Sequence, residues 1–194
     1  MCGGTHRLGC GVARVPYLDP DDAADDVARA LRRLPPLHVL GLLAHAETAF
    51  VPALHLGSVI LRELALDSGL RELAILQVGR LAARYEWDQH VPIAREVGIS
   101  AEQIDALDRG ELEADCWTAA QRAVLVFAAA IVADGDVDDA TYREVREHLG
   151  DREVVELALT AGLYLMLARI MTALRIGPDP PVGGHLVQLL SDLG

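Results

Sequence analysis

Glu72, Glu86 and His90 are the residues of this chain whose types and positions suit proton transfer. Glu86 and His90 stand four apart in Tyr85-Glu86-Trp87-Asp88-Gln89-His90-Val91-Pro92, which puts both on one face of a helix. Glu72 lies upstream in Arg71-Glu72-Leu73-Ala74-Ile75-Leu76, and a helix starting at Leu70 sets it on a stripe with Leu76, Gly79 and Ala83. Carboxylates and an imidazole in apolar surroundings are costly unless paired, so they point to chemistry or to a buried polar network. Each also admits a plainer reading. Glu86 and His90 could be a solvated i,i+4 pair worth about 0.2–0.5 kcal/mol. Glu72 could be a first-turn acid that complements the helix dipole or pairs with Arg71. The setting favours a site: Tyr85 and Trp87 flank the acid, and Pro92 has no N–H for the carbonyl of Asp88, which opens or kinks the turn holding the histidine. Two carboxylates and an imidazole could hold iron or zinc, but helical sets more often use Glu-x-x-His, so neither metal nor cofactor is expected.

The elements that must position these residues are helical. The 194-residue chain is 52% hydrophobic but only 4% aromatic, so Ala, Leu and Val supply the core and an all-α domain is expected. Asp19-Pro20-Asp21-Asp22 starts a short amphipathic helix that Pro35-Pro36 stops. An apolar helical stretch from about His38 to Leu66 should break at Pro52, and Asp67-Ser68-Gly69 forms a turn. Helices then run from about Leu70 to Ala83 and, after a bend at Arg84-Tyr85, from Glu86 to Val97. Ser100 caps a helix ending near Gly110, Thr118 caps one reaching about Val132, Asp139 to Leu149 is amphipathic, and the last core helix spans about Arg152 to Arg175. His45 and His55 read as core or interface residues. Gly177-Pro178-Asp179-Pro180-Pro181 ends regular structure before a short helix at about 186–193. The division is a loose arm over 1–18, one helical domain over 19–178 and a tail over 179–194.

A net charge of -12 argues against a nucleic-acid partner, which needs clustered cations. Charged residues interrupt every apolar run before the roughly 18 residues of a membrane span, and glycines at the start replace the apolar core of a signal peptide. A cytoplasmic protein without membrane contact is expected. Cys2, Cys10 and Cys116 follow no disulfide or zinc spacing. Dinucleotide, phosphate-loop and serine-hydrolase motifs are absent.

Arg71–Leu76, Tyr85–Ala94, Gly98-Ile99-Ser100, Trp117-Thr118, Asp151-Arg152-Glu153 and Gly162–Arg169 together resemble the carboxymuconolactone decarboxylase family, which includes alkylhydroperoxidase-D-like proteins. The resemblance covers roughly residues 35 to 178. It implies an alkylhydroperoxidase-D-like helical bundle that assembles as a homo-oligomer (dimer, trimer or hexamer), with its site on the helix pair above. The peroxidase branch uses Cys-x-x-Cys-x-x-x-His, and matching that motif on His90 puts Ala83 and Glu86 where the cysteines would be, so a thiol peroxidase is not expected. The decarboxylase branch resembles this chain in carrying Glu and His for proton transfer, mapped onto Glu86 and His90 with Glu72 upstream. His90 would be general acid or base, Glu86 would orient it and fix its tautomer, and Glu72 would be a second acid or a hydrogen-bond donor to substrate. Tyr85, Trp87 and Tyr164 would line the substrate pocket. Leu165 and Thr172 depart from the asparagines common in the family. The expectation is a cofactor-independent enzyme that decarboxylates a small carbonyl or carboxylate compound or shifts a proton on it. The alternatives are a peroxidase-related protein without redox thiols and a non-catalytic ligand-binding or assembly protein.

Overall fold

A computed structural model describes residues 13–184; the expected arm cysteines and tail helix lie outside them. Among the described residues there are nine α-helices and no strand, so the all-α expectation holds. They are α1 (Asp25–Leu31), α2 (His38–Leu43), α3 (Glu47–Arg62), α4 (Ser68–Ala82), α5 (Arg84–Glu96), α6 (Ala101–Arg109), α7 (Ala119–Ala133), α8 (Asp139–Arg146) and α9 (Asp151–Leu174).

The centre of the fold is α4, which packs against α5, α7 and α9. Leu73, Ala74, Ile75, Leu76 and Val78 make it apolar nearly all round, and every residue from Arg71 to Gly79 is buried. Asp67 caps its start by accepting from the N–H groups of Gly69 and Leu70. At its far end the extended residue Ala83 alone joins α4 to α5, so the bend falls one residue earlier than the Arg84-Tyr85 expected. A side chain on Gly79 would put its Cβ 2.7 Å from the backbone nitrogen of Trp87. Only glycine lets α5 lie so close on α4, and that closeness is what brings residues 72 and 90 together.

The helix ends with strong local chemistry stand where the sequence puts them. Ser100 and Thr118 each form a capping box, with Gln103 and Gln121, and Gly110 ends α6 in the left-handed region at φ 75°. Three expectations need correction. Pro52 sits inside α3 rather than breaking it, because both it and Thr48, whose carbonyl it leaves unbonded, are exposed to solvent. Of the core and interface readings of His45 and His55, the core one fails, since both are exposed, and His45 Nε2 lies 2.8 Å from the carbonyl oxygen of Pro16. By length and a mean hydropathy of 1.7, α9 could cross a membrane despite its interspersed charges, but half of that stretch is buried in the protein's own core. Its outer stripe leaves Val155 and Leu159 exposed, and Met166, also exposed, lies on the cavity side.

Candidate active site

Glu72, Glu86 and His90 meet in the interior, and their partnerships differ from those the sequence suggests. His90 Nδ1 lies 2.8 Å from Glu72 Oε2, across the α4–α5 contact, and Arg71 Nε donates to the other carboxylate oxygen at 3.1 Å. All three side chains are almost wholly withdrawn from water. Glu72 therefore orients the imidazole and holds its proton on Nδ1, the role expected of Glu86. Sequence proximity misled here: one helical turn leaves Glu86 Oε2 3.9 Å from His90 Nε2, too far for a hydrogen bond.

That misassignment leaves Glu86 free for other work. Its carboxyl has no hydrogen-bond donor among the described residues, and burial pushes its pKa up to about 7, partly opposed by the charge of His90. For His90, burial favours the neutral ring, but the charge and hydrogen bond of Glu72, helped by Glu86, outweigh burial and the repulsion of Arg71, so its pKa is raised. Tyr164 stands edge-on to the imidazole, ring centroids 4.9 Å apart, and burial first, then the charges of Glu86 and Glu72, hold its hydroxyl well above the usual phenol value. The result is a proton-holding end made of Glu86, His90 Nε2 and the Tyr164 hydroxyl.

These groups line one end of a cavity of about 140 Å³ bounded by α2, α3, α5, α9 and Val182. Tyr85 and Tyr164 line it as expected, but Trp87 does not. The cavity face of α5 carries Tyr85, Glu86, Gln89, His90 and Ile93, whereas Trp87 points the other way into the cluster around Leu73, Leu76, Leu107 and Trp117. The Arg84 guanidinium lies over its indole, 5.1 Å from the ring centroid. Leu165 and Thr172 also lie off the cavity wall. Among the described residues no group of three or more His, Cys, Asp or Glu side chains is disposed to hold a metal ion. Cys116 is half-buried and outside the cavity.

The sequence reading missed the strap that closes this cavity. After α9 the chain runs back over α5, where Gln89 Nε2 donates to the carbonyls of Asp179 and Pro180 at 3.3 and 3.2 Å and Gln89 Oε1 accepts from Val182 N–H at 3.3 Å. The buried Asp179 carboxylate accepts from the Tyr85 hydroxyl at 2.7 Å and the His38 backbone N–H at 2.6 Å, and it lies 3.0 Å from His38 Nδ1. Asp179→Ala would strand two half-buried donors at about 1–3 kcal/mol in all and release the strap. Hydrogen exchange should then quicken across residues 177–184 while α4 keeps its protection; unchanged exchange there would show that Asp179 does not hold the strap.

The fold is all-helical and of the alkylhydroperoxidase-D-like kind. The chain superimposes on a peroxidase-related protein from Ralstonia eutropha JMP134 with the alkylhydroperoxidase AhpD core at a TM-score of 0.71, with 23% identity over 87% of this chain and 93% of that one. A peroxidase-related protein from Silicibacter sp. TM1040 gives 0.64 and 21% over 73% and 75%. A complex of the debrominase Bmp8 with 2,3,4-tribromopyrrole gives 0.69 and 18% over 92% and 96%. Within that fold, residues 52–130, which hold Glu72, Glu86 and His90, match the carboxymuconolactone decarboxylase family, the central part of the stretch over which the residues resemble it. Among curated proteins none matches the chain.

Proposed function

We propose that this protein is a cofactor-independent acid–base enzyme that decarboxylates a small carbonyl or carboxylate compound or performs a related proton shift on it. The family match and the fold support a small-molecule enzyme or a peroxidase-related role. The observation that carries the finer reading is the Glu86 carboxyl, held near neutrality with no hydrogen-bond donor of its own, facing a cavity beside an imidazole oriented from behind.

Charge balance gives the order of events. With Glu86 protonated, Arg71, Glu72 and an imidazolium at His90 sum to one positive charge, which suits one substrate carboxylate. Loss of carbon dioxide breaks the C–C bond and leaves its electron pair on the neighbouring carbonyl as an enolate, stabilised by His90 Nε2–H and the Tyr164 hydroxyl. Glu86 then gives its proton to carbon and is reprotonated from water. Glu86 is thus the acid, and His90 the electrostatic partner that Glu72 keeps in place. The exposed Val155 and Leu159 on α9 support the homo-oligomer that the family resemblance implies.

A panel of β-keto acids and acidic lactones in deuterium oxide tests this reading. Turnover should release carbon dioxide, place solvent deuterium on the former carboxyl-bearing carbon and fall as pH rises through about 7, where Glu86 loses its proton. His90→Gln, which keeps a donor to Glu72, should be at least about 100-fold slower. A His90→Gln variant as active as wild type would refute the mechanism, and a rate rising through pH 7 would show Glu86 acting as base on a C–H bond instead.

A further inference from the structure

The geometry points to a substrate of one shape and polarity: a compact apolar body of about six to ten non-hydrogen atoms bearing a single polar head, with Gly57 setting the size of the body admitted. This inference rests on the acid–base reading for the head and on the cavity walls for the body.

The polar groups of the cavity gather at one end. Gln89 spends its amide on the strap and Tyr85 its hydroxyl on Asp179, which leaves Glu86, His90 Nε2 and the Tyr164 hydroxyl as the groups available to a ligand. Glu86 lies 3.9 Å from the imidazole, and the Tyr164 ring stands perpendicular to that imidazole with centroids 4.9 Å apart. The rest of the wall is aliphatic, including Leu40, Leu43, Leu54, Leu61, Leu163 and Val182, and carries no lysine, arginine, aspartate, serine or threonine. A second charged or strongly hydrated group seated against that aliphatic wall would lose its water and find no partner. A dry apolar cavity of similar volume accepts a molecule the size of benzene.

Gly57 fits no structural need of α3. Its backbone is helical, glycine weakens a helix interior, and a Cβ added there would meet nothing within 4 Å, in contrast to the crowded Gly79. It lies on the cavity wall one turn from both Ala53 and Leu61, so the side chain it lacks is space granted to the cavity.

Calorimetric titration of the full chain at pH 6 tests the assignment with three probes: phenylacetate and phenylacetone, each with one head on an apolar ring, and terephthalate, with a second carboxylate on a similar ring. The first two should bind, and terephthalate at least ten-fold more weakly. Gly57→Ala should raise Tm and keep binding, whereas Gly57→Leu should weaken both single-headed probes at least ten-fold without lowering Tm. Ala53→Leu, on the same wall, should do the same and provides the reading if Gly57→Leu does not fold. Terephthalate binding as tightly as phenylacetate, or folded leucine variants binding like wild type, would overturn the inference. The two proposals fail separately. Probe discrimination without His90-dependent exchange of carbon-bound hydrogen retains the compartment and discards the chemistry, whereas His90-dependent turnover of a diacid does the reverse.

Discussion

Glu86→Gln is expected to be nearly inactive and yet more stable than the wild type above pH 7. An unfolded Glu titrates near 4.5, whereas burial raises Glu86 to about 7 in the folded protein, so between those values the folded state binds more protons than the unfolded one. Stability from this group is therefore intact below 4.5 and falls as pH rises to about 7. The interval corresponds to about 3 kcal/mol at 1.36 kcal/mol per pH unit. His90 acts in the same direction: its raised pKa gives stability that is full below the unfolded value of 6.5 and is lost as pH passes the folded value. Wild-type Tm should thus decline from pH 5.5 to pH 8, and the neutral glutamine should remove the part due to Glu86. Turnover should drop by about 10²- to 10⁴-fold, because the proton donor to carbon is gone. Thermal melts of both proteins at the two pH values, with rates on any accepted substrate, check this. A Glu86→Gln protein less stable than wild type at pH 8 would show that the carboxylate is not under desolvation strain.

Glu72→Leu should be the most destabilising single change at the site. It removes at once the acceptor of Arg71 Nε and that of His90 Nδ1, leaving a guanidinium with 8% of its side chain exposed and no counter-charge at that position. Breaking a buried pair from one side costs about 3–5 kcal/mol. Replacing both partners by apolar groups costs less, so Arg71→Leu/Glu72→Leu should recover part of the loss. Without Glu72, burial acts on His90 with less opposition and moves its pKa down, and the ring loses its fixed orientation. Urea unfolding of the single and double variants measures the first effect, and the imidazole shifts of His90 against pH measure the second. A Glu72→Leu protein as stable as wild type would show that the Arg71–Glu72–His90 chain carries no stability.

Much of the helical order is legible in the sequence because its signals are local. Ser100 with Gln103, Thr118 with Gln121 and the glycine at 110 each act within one turn, and α6 and α7 begin or end on them. The catalytic candidates are legible for a similar reason, as ionisable residues in an apolar stretch with Glu86 and His90 on one helix face. What is not legible is tertiary. The 72–90 pair spans 18 residues and depends on how closely Gly79 lets Trp87 approach, which no periodicity encodes. That contact decides which glutamate orients the imidazole and which one faces the cavity. Trp87 looks like a pocket residue beside Glu86, but one step along a helix rotates a side chain by about 100 degrees, enough to place it in the opposite cluster. The prolines of 178–181 signal only that a helix has ended; the anchoring of Asp179 and the 180–182 backbone to Tyr85 and Gln89 is a long-range match between residues about ninety positions apart.

Carbon-13 NMR of the side-chain carboxyl carbons through a pH titration measures directly whether Glu86 holds a transferable proton near neutrality. Wild-type protein should show one carboxyl resonance moving with a midpoint near pH 7, and that resonance should be missing from Glu86→Gln. If every glutamate carboxyl that Glu86→Gln removes or shifts titrates near the ordinary value of 4.5, Glu86 is a solvated carboxylate and the acid–base account of this site is wrong.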